Sequence, residues 1–178
     1  MATIPLHLLS ITSPLGQMIA GATVEGIYFC VFDENPLSEF DTKSISPFFE
    51  VETDQFLNPH LEILKIQLGE YFEGKRKEFS IPIAVHGTEF QHKVWALLQN
   101  IPYGTTQTYK QQSENLNQPL AIRAMAHANG QNPIVIVIPC HRVIGTNGKL
   151  IGYAGGLWRK KWLLEHERNN SPLNGTLF

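Results

Sequence analysis

Cys140 and His141 stand side by side in the run Ile138-Pro139-Cys140-His141-Arg142, and their side chains have the chemistry of a nucleophile and its base. A thiol attacks only as the thiolate, so it needs a base, a cation or a helix N-terminus nearby. Neighbouring residues of a strand point to opposite faces. Direct contact between the two therefore requires a turn at Pro139-Cys140, or a bridging water. A buried, inert cysteine beside a satisfied histidine is the plain alternative for any such pair. The second cysteine, Cys30, lies inside an apolar run and reads as a small buried hydrophobe. Two cysteines make neither a disulfide scaffold nor, alone, a four-cysteine zinc site. The histidines are scattered at 7, 60, 86, 92, 127, 141 and 166, and no Gly-rich nucleotide fingerprint occurs. The expectation is no metal and no cofactor.

The elements that must position this pair are legible as patterns. Residues 134–138 are five β-branched side chains in a row, which predicts a strand buried on both faces and running directly into Pro139. Glycines at 145, 148, 152, 155 and 156 follow, and residues 159–168 close with a helix carrying Trp162, Leu163 and Leu164. Upstream, Phe90, Val94, Trp95, Leu97 and Leu98 give residues 89–100 helical spacing, stopped by Ile101-Pro102-Tyr103-Gly104. A short helix within 105–116 and a third opened by Asn117-Gln118-Pro119 and ended by Gly130 resemble a helix-turn-helix. That third helix carries Ala121, Ala124, Ala126 and Ala128.

The first half reads differently. Gly26 splits two apolar runs within residues 17–32, a hairpin or meander. Residues 33–54 are acidic with Pro36 and Pro47 and predict a loop; residues 59–72 predict a helix closed by Gly74; residues 79–85 predict another strand. The two parts meet near residue 85, giving expected domains 1–85 and 86–178.

Composition sets the broad class. The chain has 178 residues, 43% hydrophobic and 17% charged, so a packed core is expected. No apolar run approaches the ~20 residues of a membrane span, and the first basic residue is Lys43, so no secretory start is read. A reduced, cytoplasmic protein off the membrane is expected. The net charge of −2 hides a segregation. Residues 1–85 hold five basic and twelve acidic side chains, net −7; residues 86–178 hold nine and four, net +5. The second half can favour a polyanion.

The stretch 138–145, Ile-Pro-Cys-His-Arg-Val-Ile-Gly, resembles the active-site motif of the methylated-DNA–protein-cysteine methyltransferases, also called O6-alkylguanine-DNA alkyltransferases. The resemblance extends from Phe90 to Glu167 through Phe90-Gln91-His92-Lys93-Val94-Trp95, Ile101-Pro102-Tyr103-Gly104, Arg123-Ala124, Asn132-Pro133, Gly152-Tyr153-Ala154-Gly155-Gly156-Leu157 and Trp162-Leu163-Leu164-Glu165-His166-Glu167. The first half matches only loosely, through Ser13-Pro14-Leu15-Gly16.

The resemblance implies an α/β (α+β) protein: a ribonuclease-H-like N-terminal domain and a mainly helical, winged-helix-like C-terminal one. It implies a single-turnover transfer of the alkyl group from O6-alkylguanine, with O4-alkylthymine a further expected substrate, to Cys140. His141 would act as base through a water and Glu167 would orient it. Tyr109 would help rotate the lesion nucleotide, and Arg123 would fill the space left in the duplex. Asn132 would tie the DNA-reading helix to the active-site strand. Tyr153 and Ala154 would line the base pocket, and the carbonyls of Cys140 and Val143 would receive the exocyclic amine. The implied partner is double-stranded DNA with alkylated bases, bound by a monomer. Lys110, Lys149 and residues 159–161 are candidate phosphate contacts beside Arg123. His127 stands where the family often has glycine, and Lys110 and Ser113 where it often has smaller residues. His127 faces either DNA or the helix packing.

Overall fold

Ser13 and Gly16 fold the first strand back on the second. The Ser13 hydroxyl donates to the Gly16 carbonyl at 2.7 Å and accepts the Leu15 amide at 3.1 Å, an ST-type turn. The computed structural model describes residues 4–33, 49–52 and 58–171. The hairpin joins β1 (Ile4–Ser13) to β2 (Gly16–Thr23), and β3 (Gly26–Phe32) continues the meander. The turn before β3 needs glycine: Gly26 has φ +148°, and a Cβ there would lie 2.6 Å from the Pro82 carbonyl oxygen. β4 (Phe49–Glu52) adds in parallel to β1, giving the order β3-β2-β1-β4. Pairing partners share a face, so Leu6, Ile19 and Phe29 form a buried cluster joined by Leu8, Tyr28, Val31 and Phe49. α1 (Pro59–Phe72) packs on this sheet through Leu61, Leu64, Leu68 and Tyr71. Asn58 caps it, accepting the His60 amide, and Pro59 sits in its first turn, where no amide hydrogen is needed.

Two N-terminal readings need amendment, and one strand goes unread: β1, although Ile4, Leu6 and Leu8 alternate with Pro5 and His7. Within the acidic loop expected at 33–54, residues 49–52 form β4, and residues 34–48 and 53–54 lie outside the described residues. The strand expected at 79–85 is a single bridge, Ile27 to Ile83, held by the Ile27 amide on Pro82 O and the Ala84 amide on Ile27 O. Pro82 has no amide hydrogen to extend the ladder.

The chain divides into two compact units, Met1–His86 and Gly87–Phe178. The second is helical. α2 (Glu89–Gln99) opens on a capping box between Thr88 and Gln91, and α3 (Tyr109–Asn115) on another between Thr108 and Gln111. α4 (Ile122–Gly130) follows, then α5 (Leu157–Asn170). α4 begins three residues past Pro119, which therefore lies in the preceding turn and not in the helix. Reciprocal side-chain bonds between Gln112 and Asn129, 3.1 and 2.7 Å, lock α3 to α4, and the Trp95 indole donates to Ala128 O at 2.9 Å. Two short strands, β5 (Gln107–Thr108) and β6 (Val143–Ile144), pair in parallel.

The expected strand at 134–138 does not form. All five side chains are buried, but the backbone turns: Ile136 has φ +73°, the Val137 amide bonds Val135 O at 2.9 Å, and the Ile138 amide bonds Ile134 O at 3.0 Å. A β-branched residue at positive φ persists only where its surroundings hold it. Asn132 does so from both ends. Its Oδ1 accepts the Ile134 amide at 3.0 Å and its Nδ2 donates to Ile138 O at 2.7 Å.

Candidate active site

Because the chain turns here, Cys140 and His141 do not point to opposite faces of a strand. Residues Cys140–Arg142 form one 3₁₀ turn, with the Arg142 amide on Pro139 O at 3.0 Å and the Val143 amide on Cys140 O. β6 follows at once and pairs with β5. That register, Thr108 opposite Ile144, sets the start of α3, and so Tyr109, beside the turn.

Cys140 is 8% exposed. Its Sγ accepts a hydrogen bond from Asn132 Nδ2 at 3.1 Å. Burial pushes the thiol upward; the Asn132 donor and the Lys160 ammonium oppose that. In the resting protein Cys140 is a thiol awaiting a base.

His141 is fully buried, and burial depresses its pKa, against the pull of Glu167, so the ring rests neutral. Its Nε2 lies 2.8 Å from Glu167 Oε1, while Nδ1 has no hydrogen-bond partner among the described residues. Burial alone would raise the Glu167 carboxyl; the His141 ring and Arg142 guanidinium outweigh it and hold the group well below the usual carboxylate range. The stronger grip comes from Arg142, whose charge is permanent. Its Nε and Nη2 fork onto the two carboxylate oxygens, both at 2.9 Å, and its Nη1 donates to Ile101 O at 2.6 Å. The Gly104 amide gives Glu167 a fourth donor at 3.0 Å. Gly104 has φ +76°, and a Cβ there would lie 2.6 Å from Ser171 Cβ. The residues 101–104 that stop α2 therefore also hold the carboxylate.

The remaining residues singled out in the sequence are placed as follows. The Tyr109 hydroxyl donates to Ile151 O at 3.3 Å, and burial together with the Cys140 charge raises its pKa. Tyr153 is half-buried and Ala154 exposed in the glycine-rich segment before α5; Val143 is buried. Arg123 is exposed on α4, on a face shared with Ala124 and His127, while Met125, Ala128 and Asn129 face inward. His127 thus belongs to the outer face. Lys110 is exposed, 3.9 Å from Glu114. Ser113 is buried, its hydroxyl on Lys110 O at 2.8 Å. No group of three or more metal-ligating side chains occurs among the described residues. Cys30 is buried and its thiol pushed up to about 12, an inert core residue.

One expectation is overturned. Lys160, grouped with 159–161 as a phosphate contact, is 0% exposed. Its ammonium donates to Ile151 O at 2.7 Å and Gly152 O at 3.1 Å. The available signal was helical spacing: Lys160, Leu163 and Glu167 fall on one buried stripe of α5. Arg142 was visible only as part of the motif, with no role attached.

The site as built is a thiol on a tight turn, a buried histidine with one nitrogen fixed and one open, and an anchored carboxylate. Residues 9–85 match the 6-O-methylguanine DNA methyltransferase ribonuclease-like domain, and residues 89–169 its DNA-binding domain. The Mycolicibacterium paratuberculosis methylated-DNA–protein-cysteine methyltransferase is 55% identical over 112 residues, 63% of this chain and 68% of that one. The inducible enzyme of Bacillus subtilis is 40% identical over 153 residues, 84% and 83% of the two chains. The structure of Mycobacterium tuberculosis OGT in complex with DNA superposes with a TM-score of 0.77 at 35% identity, covering 93% of this chain and 95% of that one. This chain belongs to the methylated-DNA–protein-cysteine methyltransferase family.

Proposed function

We propose that the protein repairs alkylated DNA by moving the alkyl group from guanine O6 to its own Cys140, once per molecule, and that O4-alkylthymine is a second substrate. The observation that carries this is the Cys140–His141–Glu167 arrangement on a helix-turn-helix unit. Guanine O6 lies within the duplex stack, so the nucleotide must be everted into the site. α4 presents small residues and Arg123 outward, which suits close approach to a minor groove and a side chain that fills the gap. Minor-groove readout is degenerate, as scanning of any sequence requires.

In the chemical step the Cys140 proton passes through a water to His141 Nδ1. The imidazolium forms against the Glu167 carboxylate that Arg142 and Gly104 hold in place. The thiolate sulfur bonds the alkyl carbon as the carbon–O6 bond breaks, and the base leaves with the bonding pair, aided by the Tyr109 hydroxyl. Tyr153, Ala154 and the Val143 and Cys140 carbonyls recognise the base; Asn132 keeps the Cys140 turn in register with α4, whose Asn129 O accepts the Asn132 amide at 3.2 Å. Lys110 joins Arg123 on the DNA backbone. The product is a thioether, which water does not cleave, so the protein is spent. All these groups come from one chain, which supports a monomer acting on double-stranded DNA; a cytoplasmic location is part of the same proposal. No described helix is long and apolar enough to cross a membrane.

Intact-mass analysis after incubation with a duplex bearing O6-methylguanine tests this. The expected result is one methyl group on Cys140, repair stopping at one equivalent, and none with Cys140→Ala. Repair by the alanine variant, or binding without an adduct on the intact protein, would overturn it.

A further inference from the structure

The chemistry above gives Lys160 no task, yet its ammonium is fully buried on α5. A buried cation is costly unless paired or hydrogen-bonded. No carboxylate pairs with Lys160 among the described residues; its bonds go to the carbonyls of Ile151 and Gly152. These two residues lead directly into Tyr153 and Ala154. The Tyr109 hydroxyl donates to the same Ile151 carbonyl, and Lys160 Nζ lies 6.0 Å from the Tyr109 ring centroid. Ile151 is half-exposed and Gly152, at φ +51°, adds no side chain. The acidic group that acts on Lys160 is the Cys140 thiol, and the influence is mutual.

We propose that Lys160 is a positioning residue for the transfer: its ammonium clamps the Ile151 and Gly152 carbonyls, fixing Tyr153 and Ala154 as the wall of the base pocket, and sets a positive charge where the Cys140 thiolate forms. The inference rests on the alkyl-transfer reading and deepens it. Burial brings the ammonium down to about 8, so it still carries its charge at neutral pH. A lysine left uncompensated in the resting protein becomes compensated when the thiolate appears, so the charge favours the reactive form over the resting one.

The test uses the full chain and two probes. Iodoacetamide needs no base pocket, and the pH dependence of its reaction with Cys140 reads the thiolate. A duplex with O6-methylguanine reads the assembled site. The titrating groups that act on Cys140 are Lys160 and Tyr109; His141 beside it in sequence is acted on by Glu167, Arg142 and also Lys160, whose charge disfavours the imidazolium. Lys160→Met is expected to raise the iodoacetamide midpoint by about one pH unit or more, and to slow methyl transfer from the duplex at least about tenfold. Lys160→Arg is expected to keep the midpoint near wild type. An unmoved midpoint in Lys160→Met, or a transfer rate within about twofold of wild type, would overturn the proposal. If Lys160→Met fails to fold, the wild-type protein decides. Capping Cys140 with iodoacetamide removes the thiolate and should lower the Lys160 titration midpoint followed by NMR at its Cε. An unchanged midpoint refutes the coupling. Wild-type protein that takes no methyl from the duplex defeats the alkyl-transfer reading instead, while the iodoacetamide arms still judge Lys160.

Discussion

Glu167 is the residue on which the site's electrostatics turn. It is a buried anion with four donors from three residues beside the neutral His141 ring: two from Arg142, one from Gly104 and the ring itself. Truncating one member of such a buried pair typically costs about 3–5 kcal/mol, because the surviving charge is left without compensation. Glu167→Gln keeps the shape and removes the charge. The carboxyl's folded pKa lies below its unfolded value of about 4.3, so its stabilisation is fully present above that value and lost as pH falls through the folded one. His141 works in the same direction. Its folded pKa is depressed, so protonating the unfolded state below about pH 6.5 drains stability. Thermal melts of wild type and Glu167→Gln from pH 7 to 3 should therefore show a gap that is constant above about pH 5 and closes below it. A gap that ignores pH would show that the carboxylate contributes shape and not charge.

Elements explain why some of this was readable and some was not. α1, α2 and α5 follow apolar spacing and end signals, so their positions were visible in advance. The helix-turn-helix was visible as a pattern of caps and breakers, though α4 starts later than Pro119 suggested. Residues 134–138 misled because β-branched character reports burial, which is present, while the turn depends on one asparagine bridging both ends of the segment. The active-site family resemblance supplied Cys140, His141 and Glu167, but composition could not distinguish the buried Lys160 from its exposed neighbour Lys161. Charge at a helix position says nothing of whether the face beneath it is solvent; only the stripe shared with Leu163 and Glu167 carries that information.

The outer face of α4 makes a prediction at the same scale. Arg123 is exposed and separate from the hydrogen bonds that hold α4, which run through Ala128 and Asn129. Arg123→Ala should leave the melting temperature within a degree or two, as expected for a surface substitution. Methyl transfer from duplex DNA should fall at least about tenfold, since the inserted side chain offsets part of an unstacking cost of a few kcal/mol. Transfer from the free O6-methylguanine base, which needs no eversion, should be nearly unchanged. Equal losses on the two substrates would show that Arg123 acts on the pocket and not on the duplex.

At the scale of the whole molecule, the net charge of −2 is a poor guide to DNA affinity, and so is the +5 of residues 86–178. Arg142 and Lys160 are buried and spent inside the site. Lys93 pairs with Glu89 at 2.6 Å, and Lys161 lies 3.8 Å from Glu165. Arg159 lies 4.5 Å over the Trp158 ring and donates to Gly155 O. In the proposed reading the phosphate contacts are Arg123, Lys110 and Lys149, chosen for their places on α4, α3 and the 145–149 turn and not for freedom from carboxylates, since Lys110 lies 3.9 Å from Glu114; Arg159 would be a fourth. Each neutralised phosphate contributes about −0.9 to the slope of log affinity against log salt. The expected slope on undamaged duplex is therefore about −3 to −4, shallow for a DNA-binding protein. Lys110→Gln should reduce its magnitude by nearly one unit on every duplex sequence, whereas Lys161→Gln should barely change it. A slope near −8 would mean that cations beyond α3, α4 and the 145–149 turn reach the backbone. A slope near zero would place the binding energy in groove contacts alone and remove the electrostatic account of how an almost neutral protein searches DNA.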